Sequence, residues 1–200
     1  YEAVRRAIDA DPDRADRDLL AREQNLRAEM DSFTNLRPLR VGDVVKVPLR
    51  LPHSLQHGVR TIEFQTPVYE RKILSFAQRV LTQDHWDTRE AAAVMALEPA
   101  TGDDLVRVHD APGHRVERIV DFEDFEVFRI TLAVGRAHAV TPAAGYALTI
   151  TIKGTLQAGG RRAGPEEALL LPGRWGGRLT PVEPDGELVV LLAMPRRDDG

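Results

Sequence analysis

The 200-residue chain contains no cysteine. Disulfides, thiolate zinc sites and a cysteine nucleophile are therefore excluded, and a reducing compartment such as the cytoplasm is the expected location. Lysine is nearly absent as well: Lys46, Lys72 and Lys153 are the only three, and arginine carries almost all of the positive charge. There is no excess of cations. Net charge is −4 and the sequence pI is about 5.9, so no global basic field draws the chain to nucleic acid or to an anionic membrane. No stretch reaches the ~20 apolar residues that a membrane helix needs, and no secretory leader is visible. Dinucleotide and nucleotide phosphate loops, the zinc-protease His-Glu-x-x-His and the Gly-x-Ser-x-Gly elbow are missing too. Gly159-Gly160 and Gly176-Gly177 read as turns.

What is present divides by texture. Val4 with Ile8, and Leu19 with Leu26 and Met30, recur at helical spacing, which predicts helices over Glu2–Ala10 and about Arg14–Asp31 with a break at Pro12. After Pro38, short runs of Val, Ile, Leu and Phe alternate with Gly, Pro and Asp turns, the pattern of a β barrel or sandwich. Strands are expected at Val44–Val47, Arg60–Gln65, Arg71–Phe76, Leu105–Val108, Phe125–Val134, Ala147–Lys153, Ala168–Leu171 and Leu188–Met194. A helix over Thr88–Leu97, with Asp87 at its N-cap, is expected between them.

One segment carries chemistry. In Gly42-Asp43-Val44-Val45-Lys46-Val47-Pro48-Leu49-Arg50-Leu51-Pro52-His53, a turn leads into a strand, Pro48 ends the strand, and a second turn brings an imidazole back. A neutral imidazole in such a position is a good ligand for a divalent first-row metal. His57 sits in Gln56-His57-Gly58, which reads as an exposed loop tip.

This spacing resembles the second cupin motif, with Gly42, Pro48 and His53 matching and Arg50 standing where that motif has a second glycine. Such an exchange implies a different turn, or strain if the site needs a positive φ. The resemblance continues through Pro52–Val59 and Ile62-Glu63-Phe64-Gln65, which are similar to a block of type I phosphomannose isomerases. Asn25 to Asn35 is similar to that family's helical insertion. Asp121–Ile130, Gly154-Thr155-Leu156 and Ala168–Pro172 are similar to its C-terminal barrel.

The resemblance implies a mainly β, cupin-type (jelly-roll) double barrel whose first barrel is incomplete and carries an N-terminal helical insertion. Residues 1–82 would form the insertion and the end of the first barrel, 83–99 a bridging helix, and 100–200 a second, metal-free barrel. It implies a metal-dependent aldose–ketose isomerase that converts mannose 6-phosphate to fructose 6-phosphate through an enediol. His53 would be a ligand to a divalent metal, zinc by family likeness, with the other ligands upstream of Tyr1. Arg71 matches the catalytic arginine, with Lys72 as its rival, although the family's Ser-Asp pair is absent here. Glu63, Gln65 and Arg50 would contact the sugar phosphate, with Arg60 and Lys72 as further cations. The expected partner is a small sugar phosphate, with neither nucleic acid nor membrane. His109, His114 and His138 are expected to be structural or exposed, and Trp86 and Trp175 to pack at barrel ends. The competing reading is a non-catalytic double-cupin protein that binds a sugar or sugar phosphate for regulation; another cupin chemistry is a third.

Overall fold

Val4 and Ile8 stand one helical turn apart and are the two buried residues of α1 (Glu2–Ala10). The computed structural model describes residues 1–66, 71–75, 83–98, 105–142, 145–182 and 186–196. The chain divides into two units, one of Tyr1–Asp43, Val47–Gln56 and Val68–Ala100, the other of Val44–Lys46, His57–Pro67 and Thr101–Gly200.

In the first unit the break at Pro12 is a 3-10 turn, Pro12–Arg14, and α2 spans Arg17–Asp31. The carboxylate of Asp16 caps α2 by accepting from Leu19 N (2.8 Å). Leu19, Leu26 and Met30 are half-buried along one face, and the residue at the centre of that face is Glu23. Its carboxylate accepts from Tyr1 Oη (3.0 Å) and from Arg27, with Arg5 at 3.7 Å. Helix α3 (Thr88–Val94) stops short of the expected Leu97, because Ala96 N donates instead to the carbonyl of Arg50 (2.8 Å). Asp87 occupies the N-cap position without capping. Its carboxylate accepts from Ile73 N (2.7 Å) and Gln83 Nε2 (2.9 Å).

Among the described residues the strands all lie in the second unit: β1 (Val106–Ala111), β2 (His114–Asp121), β3 (Phe125–Leu132), β4 (His138–Val140), β5 (Tyr146–Lys153), β6 (Leu156–Ala158), β7 (Arg161–Ala163), β8 (Ala168–Pro172), β9 (Gly177–Pro181) and β10 (Leu188–Pro195). They form a six-stranded sheet, β1-β2-β3-β10-β5-β8, and a four-stranded sheet, β4-β9-β6-β7. Every pairing is antiparallel. The last eight strands alone run β3-β10-β5-β8 in one sheet and β4-β9-β6-β7 in the other. That order is the eight-stranded jelly roll, and β1-β2 extends its larger sheet. The mainly β, jelly-roll expectation is met here.

Alternation fills the space between the sheets. Val116, Ile130, Leu132, Leu156, Leu179 and Leu188 belong to one buried cluster, with Trp175 packed against it, as expected for that tryptophan. Thr149 and Thr151 of β5 are also fully buried, and their hydroxyls donate to the carbonyls of Leu169 (3.5 Å) and Ala163 (3.2 Å). On the outer face of the larger sheet, Val44 and Phe64 pack against Ile119, Val127 and Ala193.

Among the described residues before Val106 there is no strand, so Val44–Val47, Arg60–Gln65 and the described part of Arg71–Phe76 correct the expectation. Strand propensity alone does not make a strand, because its N–H and C=O groups need a neighbouring ladder. The apolar positions of two of these segments serve instead as a cover, through Val44 and Phe64. Among the described residues, no helix is long and apolar enough to cross a membrane.

Candidate functional site

Two turns shape the segment that ends at His53. In the first, Asp43 N donates to the carbonyl of Arg40 (3.0 Å), Gly42 has φ +96°, and Asp43 Oδ2 accepts from Arg40 N (2.9 Å). In the second, Leu51 N donates to the carbonyl of Pro48 (3.3 Å) and Arg50 has φ +66°. Arg50 therefore adopts the left-handed backbone that a glycine would take there, and the strained alternative is the one realised.

His53 is exposed, and its Nδ1 lies 2.8 Å from the carbonyl oxygen of Leu51. A carbonyl can only accept, so Nδ1 carries a proton, and in the neutral ring the lone pair lies on Nε2. Metal-binding histidines are commonly held in this way, one nitrogen anchored on a carbonyl and the other ready to ligate. The hydrogen bond fits a ligand role for this ring. The rest of a coordination shell is not assembled around it: among the described residues, no group of three or more His, Asp or Glu side chains is spaced to hold a metal ion.

The expected site residues divide between the two units. His53, Arg50, Arg71 and Lys72 belong to the first unit, and Glu63 and Gln65 to the second. All six are exposed. Glu63 and Gln65 are exposed on either side of Phe64, which covers the outside of the jelly roll. Of the further cations, Arg60 is already paired with Glu166 (2.6 Å). His57 lies in an exposed turn, as expected.

Inside the jelly roll, the position reached by counting from Pro172 at the spacing of the Gly42–His53 segment is Gly177. A Cβ there would lie 2.4 Å from Cζ2 of Trp175. The indole fills the place that a side chain would take, and no imidazole fits without displacing it.

The second unit does gather chemistry elsewhere, at three residues expected to be structural or exposed. Strands β1 and β2 form a hairpin over Pro112-Gly113, with Gly113 at φ +73°. His109 and His114 are diagonal neighbours on one face of it, their ring centroids 4.4 Å apart. From the other sheet, His138 of β4 brings Nδ1 to 3.1 Å from Nε2 of His114. Burial, and then the charges of His109 and Arg136, hold the His114 imidazole below its ordinary value. Burial, and then the charges of His114 and His109, do the same for His138. Both shifts favour the neutral ring, and a hydrogen bond between the two needs at least one of them to keep a bare nitrogen. Beside the cluster, an open cleft of about 400 Å³ is lined by Asp110, His114, Arg115, Thr131, Glu187 and the turn at Pro112-Gly113. The pairing of His109 with His114 was within reach of the sequence, since both flank a Pro-Gly turn. The arrival of His138 from the opposite sheet left no local signal.

No known protein family's sequence profile matches the chain, and no curated protein matches it. Among solved structures, KdgF from a Halomonas species is 24% identical over 48% of this chain and 89% of its own, with a TM-score of 0.37. A cupin domain of an XRE-family transcriptional regulator from Enterobacter cloacae is 19% identical over 42% of this chain and 99% of its own, with a TM-score of 0.37. A cupin-superfamily sugar phosphate isomerase from Silicibacter pomeroyi is 16% identical over 46% of this chain and 69% of its own, with a TM-score of 0.38. These overlaps leave the chemistry of this chain to its own residues.

Proposed function

We propose that the chain is part of a metal-dependent aldose–ketose isomerase of the mannose-6-phosphate isomerase type, acting in the cytoplasm on a small sugar phosphate. The observation that carries this reading is the anchored ring of His53. A turn with left-handed Arg50 presents it, the Leu51 carbonyl fixes its tautomer, and Nε2 keeps its lone pair. When bound, a divalent ion such as zinc would polarise the carbonyl and hydroxyl oxygens of the sugar. His53 would hold it through Nε2, together with ligands that the described residues do not supply. Arg71, with Lys72 as the alternative, would place positive charge beside the developing enediolate. Arg50 would meet the phosphate, and Glu63 and Gln65 would hydrogen-bond sugar hydroxyls.

A second reading, a non-catalytic jelly roll that binds a sugar phosphate for regulation, is favoured by one specific observation. Trp175 closes the interior position at Gly177.

Metal content and conversion of mannose 6-phosphate to fructose 6-phosphate, measured on the full-length protein and on its His53→Ala variant, separate the two. Bound metal that is lost in the variant together with turnover supports the isomerase. Sugar-phosphate binding without turnover, and with the same metal content in both proteins, supports the regulator and rejects the ligand role of His53.

A further inference from the structure

The His114–His138 contact joins the two sheets of the jelly roll at one end. His114 begins β2, opposite Ala111 of β1, and His138 begins β4, opposite Leu179 of β9. The geometry allows this contact in only some protonation states. A neutral imidazole has one N–H and one bare nitrogen, so Nε2 of His114 and Nδ1 of His138 can share a single proton across 3.1 Å. Once both rings are protonated, each of these nitrogens carries a hydrogen and neither can accept. The attraction becomes a clash of two donors that also bear like charges.

We propose that this pair is an acid-sensitive latch: it ties the β1–β2 hairpin to β4 at neutral pH and releases the hairpin when both rings are protonated. The surroundings favour release over rescue. On β1, His109 stacks against His114 and adds a third titratable ring, while neighbouring Asp110 is engaged by Arg107 (2.9 Å). Arg115 follows His114 on β2, and Arg136 between β3 and β4 repels the proton on His114. On β9, the charged residue next to the contact is Arg178, opposite Ala139. Glu187, between β9 and β10, is paired with Lys153 (3.3 Å). The charges that act on the two rings are thus cationic, and the nearby carboxylates already have partners.

Release has a defined place to act. The β2–β3 ladder, which begins with His114 opposite Leu132, keeps β2 in the sheet throughout, and the hairpin turn beyond it is held where Ala133 N donates to the carbonyl of Gly113 (2.8 Å). Residues from Asp110 to Arg115 also form one wall of the cleft beside it. Loosening the latch therefore widens that cleft while the core under β3 and β10 keeps its packing.

Hydrogen exchange on the whole chain tests this. The protection factor of the Ala133 amide should fall roughly tenfold between pH 7.5 and 5.5, while that of Val190 in β10 stays level. In His138→Gln the carboxamide offers both a donor and an acceptor, so its contact with His114 survives either protonation state and the profile should be flat. Nitrogen-15 spectra of the imidazoles in the unmodified chain give a second reading: His114 and His138 should titrate together, below the ordinary imidazole range. A flat profile in the unmodified chain, a His138→Gln profile parallel to it, or rings that titrate independently at the ordinary value would overturn the latch.

Discussion

A single φ angle shows how the His53 segment is held. Arg50 has a Cβ and still sits at φ +66°, a conformation that costs a residue with a side chain about 1 kcal/mol or more. The Leu51–Pro48 and Ala96–Arg50 hydrogen bonds on either side oppose that cost. Arg50→Gly should relieve it by up to about 1 kcal/mol, read as stronger exchange protection at the Leu51 amide. Arg50→Val should weaken the same amide, because a β-branched side chain tolerates the left-handed region least. Equal protection in the three proteins would mean that the turn is not under strain. The sequence posed this question through the arginine in a glycine's place. Only the backbone angle answered it, since the φ of one residue is set by what its neighbours bond to.

Among the elements, the pairing of α1 with α2 depends on a charge. Burial pushes the Glu23 carboxyl up, but hydrogen bonds from Arg27 and Tyr1 and the charges of Arg27 and Arg5 outweigh it and hold the group below the usual carboxylate range. The sign follows. A depressed carboxyl stabilises the fold above its unfolded value, near 4.3, and this stability is lost as pH falls through the lower folded value. Helical circular dichroism should therefore show an acid transition below pH ~4 that Glu23→Gln removes, at a cost of about 1–3 kcal/mol at neutral pH. An unchanged acid transition in the variant would place its origin elsewhere. In the jelly roll, Gly177→Ala should cost about 1–3 kcal/mol, because the new methyl meets the Trp175 indole. Thermal denaturation followed by tryptophan fluorescence would register it, and wild-type behaviour would show that Trp175 swings aside at little cost. Legibility at this scale followed pattern length. Strands β3, β5, β8 and β10 combine long apolar runs with turn residues and were readable to within two residues. Strand β2, His114–Asp121, mixes charges into its alternation, and β4, β6 and β7 span three residues each. Those are positions set by partners, not by propensity.

For the whole molecule, the readable part was the jelly roll and the unreadable part was which apolar segments would join it. Val44–Val47 and Arg60–Gln65 have strand composition, yet Val44 and Phe64 pack as a cover on the outside of a finished sheet. Such a choice depends on which ladders are available, and no window of sequence contains that information. The order of the strands has a consequence of its own. β10 is the last of the ten, and it lies between β3 and β5, pairing with Leu132 through Phe125 on one side and with Lys153 through Leu148 on the other. Leu192→Ala, in its buried face, should cost about 2–5 kcal/mol and lower the cooperative melting of the unit. A loss under 1 kcal/mol would mean that the centre of the sheet repacks freely. During synthesis the chain presents β3 and β5 to the cell long before the strand that joins them exists. Those two carry apolar faces with an open seam between them until Pro195 clears the ribosome. The interval when this protein most needs protection from association therefore runs from the synthesis of β3 to that of β10, and a delay between the two prolongs it directly.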